Sequence, residues 1–332
     1  MKNAGNSFGG QNLPKHSFWA TDKEAATLEI YYEGTEITDL VQVRKCTARD
    51  TSGGRCDSLE IEFENAGGWY SWGPQEDDKI LVSHNGYDTG IMYLNTVLPE
   101  NGRYRIMATS LPCKARAKEN RSFYQRTIEE IMRACAMESG MDFGIYGIDA
   151  GTIIPYVQRE NEGCAAFLHR LLRWEGANLK CVNGKYTAIG LIWAQNQEPN
   201  QSIELSAKQH GTEYWRNGRS YKALTVKSPY AEATAEDLSV SSTHAIKTVN
   251  GLPVMNNIQA GRWARGLLLD HNRGCESLGI QSDFNPAFSA MARIDITGGT
   301  DATGEWLVEE AEHDFKNLTS VARMRRCIQT IQ

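Results

Sequence analysis

The chain has 332 residues, 41% of them apolar and 23% charged, and a formal net charge of −6. That length holds two or three domains with real cores, and the balance is that of a soluble globular protein. The acidic excess argues against general or sequence-specific nucleic-acid binding, which needs clustered Lys and Arg, and no apolar run reaches the length of a membrane span.

The N-terminal MKNAGNSFGGQNLPKHSF lacks the apolar core of a signal peptide, so residues 1–24 read as a flexible polar arm. Residues 25–114 read as a first β domain. TLEIYY, EITDLVQV, DSLEIEF, KILVSH, GIMYLNTVL and RYRIMATS are short runs rich in Val, Ile, Tyr and Thr. Turn signals such as HNGYDTG and PENG separate them at the spacing of a barrel or sandwich. Pro99 and Pro112 fall at run ends, where a missing N–H does little harm. In DSLEIEFEN, Leu59, Ile61 and Phe63 alternate with Glu60, Glu62 and Glu64, which predicts a strand with an apolar core face and a uniformly acidic outer face. Lined-up like charges repel, so that face calls for an explanation.

Residues 115–195 change texture and read as a small α+β domain. SFYQRTIEEIMRACAMESG places Tyr124, Ile128, Ile131 and Cys135 on one helix face, with Ser122 as N-cap and Gly140 as left-handed C-cap. NEGCAAFLHRLLRWEG predicts a second helix, capped by Asn161, striped by Phe167, Leu168, Leu171 and Leu172, and ended by Gly176. ANLKCVNGKYTAIG reads as a hairpin closed by a type I′ turn at Asn183-Gly184. From 196 to 332 the β pattern returns in SIELSA, YKALTVKS, SLGIQSDF, FSAMARIDITG, EWLVEEAEHDF and VARMRRCIQ, interrupted by one helix in MNNIQAGRWARGLLLDHN. A mean hydropathy of −0.47 makes these strands amphipathic. The fold class is therefore α+β, mainly β. Residues 79–108 and 291–325 share an order of strand, Gly-containing turn, aromatic-bearing strand, polar turn and strand, which suggests one β fold used twice.

Catalytic signatures are missing: there is no GxSxG, HExxH, Walker A loop or GxGxxG after a strand. No catalytic residue, cofactor or metal site is assigned. His169 reads as packed or solvated, and His313 in EEAEHDF as solvated or at an interface, because adjacent strand residues point to opposite faces. The eight cysteines form no CxxC pair and read as free thiols in a reducing cytoplasm. Trp69, Tyr70 and Trp72, with Tyr214 and Trp215 later, are candidate protein-interface aromatics, with sugar stacking as the rival reading.

The stretches DSLEIEFEN and DDKILVSHNGYDTGIMYLNTV resemble the first β domain of the late control protein D family, the baseplate hub proteins of contractile phage tails and related injection machines. YVQRENEGCAAFLHRLLRWEGANLKCVNGKYTAIG resembles that family's most recognisable segment, with Asn161-Glu162 where the family has Ser-Asp. QAGRWARGLLLDHNRG and ITGGTDATGEWLVEEAEHDF resemble its final domain. The resemblance implies two tail-tube-like β-barrel domains, 25–114 and 196–332, flanking the α+β domain. It also implies a homotrimeric, pseudo-sixfold ring between the tail tube and the central spike, with wedge proteins around it, assembled in the bacterial cytoplasm. Glu60, Glu62 and Glu64 would then face the channel. The alternative is a cell-wall-targeting tail-tip protein, either a peptidoglycan hydrolase or a carbohydrate-binding module.

Overall fold

The period-two runs of the first β region become eight strands in the computed structural model, which describes residues 28–64, 73–100, 102–205 and 211–332. They are β1 (Glu29–Tyr32), β2 (Thr35–Glu36), β3 (Val43–Thr51), β4 (Ser58–Glu64), β5 (Lys79–His84), β6 (Tyr87–Asp88), β7 (Met92–Glu100) and β8 (Arg103–Thr109). Next come β9 (Glu119–Thr127), α1 (Ile128–Ser139), β10 (Asp142–Tyr146), β11 (Ile153–Glu162), α2 (Cys164–Trp174), β12 (Ala177–Val182), β13 (Lys185–Gly190) and α3 (Leu191–Gln195). The remainder holds β14 (Gln201–Glu204), β15 (Thr212–Arg216), β16 (Ala223–Lys227), β17 (Glu232–Glu236), β18 (Ile246–Asn250), α4 (Asn257–Arg273), β19 (Glu276–Asp283), β20 (Arg293–Thr297), β21 (Gly304–Asp314) and β22 (Thr319–Arg326). With 48% strand against 18% helix the chain is α+β, mainly β.

Fourteen strands share one sheet, ordered β15-β19-β22-β21-β3-β4-β8-β7-β5-β1-β2, with β14, β20 and β6 attached beside that path. Among the described residues neither half closes into a barrel. The halves do repeat each other. In the first, β3-β4-β8-β7-β5-β1 are successive neighbours; in the second, β15-β19-β22-β21-β20-β14 are, and both sets occur in the same chain order. Registers repeat as well. The β7–β8 ladder is bulged between Leu94 and Thr96, and the β21–β22 ladder between Val308 and Glu310. Leu94 exchanges backbone bonds with Asp77 and Asp78 as Val308 does with Met291 and Ala292. One pairing departs: β1 runs antiparallel to β5, whereas β14 runs parallel to β20. Each half has its own apolar cluster, one containing Ile30, Leu59, Ile61, Ile80 and Leu94, the other Leu278, Ile280, Ile294, Trp306 and Val308.

Two predicted helix starts move. Residues 119–127 form a strand against β11 rather than the first turns of α1, and Tyr124 is exposed. Thr127 caps α1 in place of Ser122, because its hydroxyl accepts from the Glu130 N–H while the Glu130 carboxylate accepts from the Thr127 N–H. Gly140 ends the helix in the left-handed region as expected. Asn161 lies in β11 at a bulge, with φ 47°, and Gly163 is the N-cap of α2. Phe167, Leu168, Leu171 and Leu172 are buried, and the Asn183-Gly184 turn has both φ angles positive, as type I′ requires.

The β16–β18 sheet and α4 are inserted between β15 and β19, where the first half has only a short turn between β3 and β4. Their apolar faces merge with those of α1, α2, β12 and β13 into one core. The Trp174 and Trp263 rings meet at 4.5 Å, and Glu175 accepts hydrogen bonds from Trp263 Nε1 at 2.7 Å and Arg262 Nε at 2.9 Å. The backbones touch at Gly266, where a Cβ would lie 2.2 Å from the Trp174 carbonyl oxygen.

Candidate functional site

β4 places Leu59, Ile61 and Phe63 in the core of the first half, and turns Glu60, Glu62 and Glu64 to the opposite face of the sheet. That face is not uniformly acidic. The flanking strands β3 and β8 set cations beside every glutamate: Lys45 lies 2.9 Å from Glu60, Arg103 3.2 Å from Glu62, Arg44 2.8 Å from Glu64, and Arg105 3.7 Å from both Glu60 and Glu62. Cross-strand neighbours of opposite charge remove the repulsion that a lone strand would suffer. The sequence hid this because the partners sit 15 to 45 positions away (Lys45 and Arg105 from Glu60) on strands read separately. Each exposed pair is worth about 0–1 kcal/mol, so their collective effect is a wall of alternating charge.

The same face continues across the junction between the halves, where β3 pairs antiparallel with β21. Arg49 stands opposite Glu312 with Nε 2.7 Å from the carboxylate. Behind the junction lies a buried charge cluster. Lys180 of β12 binds Asp50, Asp57 at 2.7 Å and the Thr51 carbonyl at 3.2 Å. Asp50 also accepts from Ser289 Oγ at 2.9 Å and the Ala290 N–H at 3.0 Å, and Asp57 from the Thr51 N–H at 2.8 Å. Burial pushes Asp57 up to about 6 even though Lys180 opposes the shift. Burial alone would lower the Lys180 ammonium, but Asp50 and Asp57 outweigh it and hold its pKa above the ordinary value. The cluster thus ties the α+β segment to both halves. Nothing in the sequence around Lys180, a lysine in an otherwise ordinary hairpin strand, signals it.

His313 is neither solvated nor at a surface; it is fully buried beneath the junction. Nε2 lies 2.9 Å from the Phe288 carbonyl, so it must donate, and Nδ1 accepts from Ser320 Oγ at 2.9 Å. Burial lowers its pKa. With both nitrogens engaged, the ring serves as a fixed strut. His169 is half-buried, and burial likewise lowers its pKa. Arg159, which the sequence did not single out, is fully buried in β11, with Nη1 2.7 Å from Cys164 Sγ and Nη2 on Glu138 and Glu119. All eight cysteines are free; Cys113 is exposed. Among the described residues no group of His, Cys, Asp and Glu side chains could hold a metal ion. Trp215 in β15 is 52% exposed. Trp69, Tyr70 and Trp72 lie outside the described residues.

No family model matches the sequence, and no curated protein matches it. Solved structures do match. The tail protein from Neisseria meningitidis MC58 superposes with a TM-score of 0.71 at 9% identity, over 91% of this chain and 96% of that one. The 43 kDa tail protein of prophage MuSo2 from Shewanella oneidensis gives 0.65 at 12%, over 91% and 97%. The fold is that of phage tail proteins. It extends to an Escherichia coli component of the type VI secretion system, itself described as similar to tail proteins of bacteriophage T4, with a TM-score of 0.55 at 13% identity over 87% of this chain and 74% of that one. The α+β, mainly β class read from the sequence is the one observed, whereas the two closed barrels that the resemblance to tail baseplate proteins implied are not found among the described residues.

Proposed function

We propose that the chain is a structural baseplate hub of a contractile tail or injection machine. Three copies form a pseudo-sixfold ring that joins a sixfold tail tube to a threefold central spike. The observation that carries this reading is the repeat within the fold: each chain supplies two β units of the same strand order and register, and three chains supply six. The likeness to tail proteins and to a type VI secretion component supports it. In this reading the 25–114 and 196–332 segments act as tube-like domains, and the 115–195 segment braces them from outside towards wedge proteins. The ring assembles in the bacterial cytoplasm and ends in the particle. The face bearing Glu60, Glu62 and Glu64 lines the channel, where alternating charge gives passing cargo no long-range field to bind or fight.

The role is assembly, and the chain is not an enzyme. The test is the rotational symmetry of this layer in particle reconstructions. Three copies around the axis are expected; six copies, or a chain lying off the axis, would refute the hub. Turnover of peptidoglycan by the purified chain would favour the cell-wall alternative instead.

A further inference from the structure

We infer that the open edge of β7 in one copy pairs antiparallel with the open edge of β15 in a second copy, with Leu98 opposite Trp215. This rests on the trimer proposed above and names the strands that close it. The template lies within the chain. The last residues of β21 pair on one side with β22 and on the other with β3. The shared bulge and register make Thr96–Pro99 of β7 the counterpart of Glu310–His313, and the ladders to β4 and β19 make β15 the counterpart of β3. In the second half the β21 site is filled by β3 of the first. In the first half, among the described residues, no strand pairs with Thr96–Pro99 on the side away from β8, and β15 ends the sheet. One junction is made and its equivalent is left open at both ends.

Backbone direction supports the match. Ser52 N–H donates to the Glu309 carbonyl and Phe315 N–H to that of Cys46, so Ala311 and His313 turn their backbone groups to β3. Their counterparts Val97 and Pro99 therefore turn theirs to the open edge. On β15, Asn217 N–H donates to the Cys275 carbonyl and Gln281 N–H to that of Gly211, which leaves Thr212, Tyr214 and Arg216 facing outward. Pro99 brings no N–H, but its carbonyl remains available, and an open edge is one of the few places in a sheet that tolerate a proline.

Side chains supply the second observation. The template places Arg49 opposite Glu312; the corresponding pair between copies is Trp215 opposite Leu98. These are exposed by 52% and 40%, and Met107 beside Leu98 by another 40%. A polar pair inside the chain is thus replaced by an apolar pair at the two open edges, where large exposed apolar side chains mark an interface. The occupant is a second copy of this chain, because the edge that fits β7 is one the same chain carries.

The test is a disulfide between Leu98→Cys and Trp215→Cys in a Cys113→Ser background. The template pair Arg49 and Glu312 lies outside the hydrogen-bonded positions, where Cα atoms approach to about 4.5 Å, within disulfide reach. Arg49→Cys with Glu312→Cys is the intrachain control. Mild oxidation of the full chain should give linked dimers and trimers that revert on reduction, with nothing larger. Val97→Pro, which removes an edge-facing donor without touching the β8 ladder, should cut the yield about tenfold. A ladder running past three would keep the edge pairing and sink the closed trimer. Trimers in solution lacking the engineered crosslink would keep the trimer and overturn these edges. Monomers lacking that crosslink, under conditions where the control closes, would overturn the pairing outright.

Discussion

Replacing Lys180 with Met removes the cation that binds both acids of a cluster in which Asp50 and Asp57 are 6% and 2% exposed. The methionine fills most of the space, so the loss is electrostatic. Asp50 keeps its bonds from Ser289 and Ala290, and Asp57 keeps the one from Thr51, but two carboxylates then face each other without that counter-charge. Breaking a buried pair in this way costs about 3–5 kcal/mol. With an unfolding entropy of about 2 cal/mol/K per residue, this corresponds to about 6 °C in Tm for a cooperative transition of the whole chain. The sign of the pH dependence follows from Asp57. Its folded pKa, about 6, already lies above the unfolded value, so the protonated form is favoured in the fold. That contribution is present below about pH 4 and is lost as pH rises through 6. Without Lys180, which opposes that rise, the Asp57 carboxyl moves further up, so the deficit in Lys180→Met should be full at pH 8 and about halved at pH 5. Adding Asp57→Asn should recover about half of the pH 8 loss. Thermal unfolding followed by circular dichroism at both pH values measures this. A loss under about 1 kcal/mol at pH 8, or one equal at both pH values, would refute the buried-cluster argument.

Gly266→Ala should destabilise by at least 1–3 kcal/mol, since the new methyl meets the Trp174 carbonyl and the Gly176 N–H rather than a side chain that can turn away; chemical denaturation reads it. Thr127→Ala should cost about 1 kcal/mol through loss of the α1 capping box, while Ser122→Ala should be nearly neutral, and the same melts compare them. Native-state alkylation should label Cys113 first and leave Cys46, Cys135, Cys164 and Cys181 unmodified, whereas intact mass after denaturation without reductant should report all eight thiols; a smaller number would mean disulfides.

What the sequence revealed were features written at short range. The period-two runs became strands, the Phe167 to Leu172 stripe became a buried helix face, and Asn183-Gly184 became the turn it spells. The internal repeat was visible as an order of elements; its matching registers were not, because register is fixed by ladders between distant segments. Helix starts failed where two caps competed. Ser122 looked sufficient alone, but only Thr127 has a glutamate three residues on, and residues 119–127 have β11 to pair with. The acidic face misled for a related reason: Glu60, Glu62 and Glu64 are neutralised by β3 and β8, which one strand's pattern does not contain. Buried polar residues were the hardest to foresee. Lys180, Arg159 and His313 look like surface residues by type, and apart from Cys164, five residues from Arg159, and Ser320, seven from His313, the partners that make their burial tolerable lie more than 20 residues away.

The charge cluster also sets a timetable. Asp50 is bound by Lys180, 130 residues later, and by Ser289 and Ala290, 239 and 240 residues later. A ribosome adding about 5–20 residues per second needs roughly 10–50 s to bridge the longer of these gaps. Until Lys180 is made, the nascent first half carries two carboxylates without their cation, and until β21 is made it carries an uncovered β3 edge. The half that is synthesised first is therefore finished by residues synthesised last, and shielding of the growing chain over those seconds governs how much of it reaches the native state.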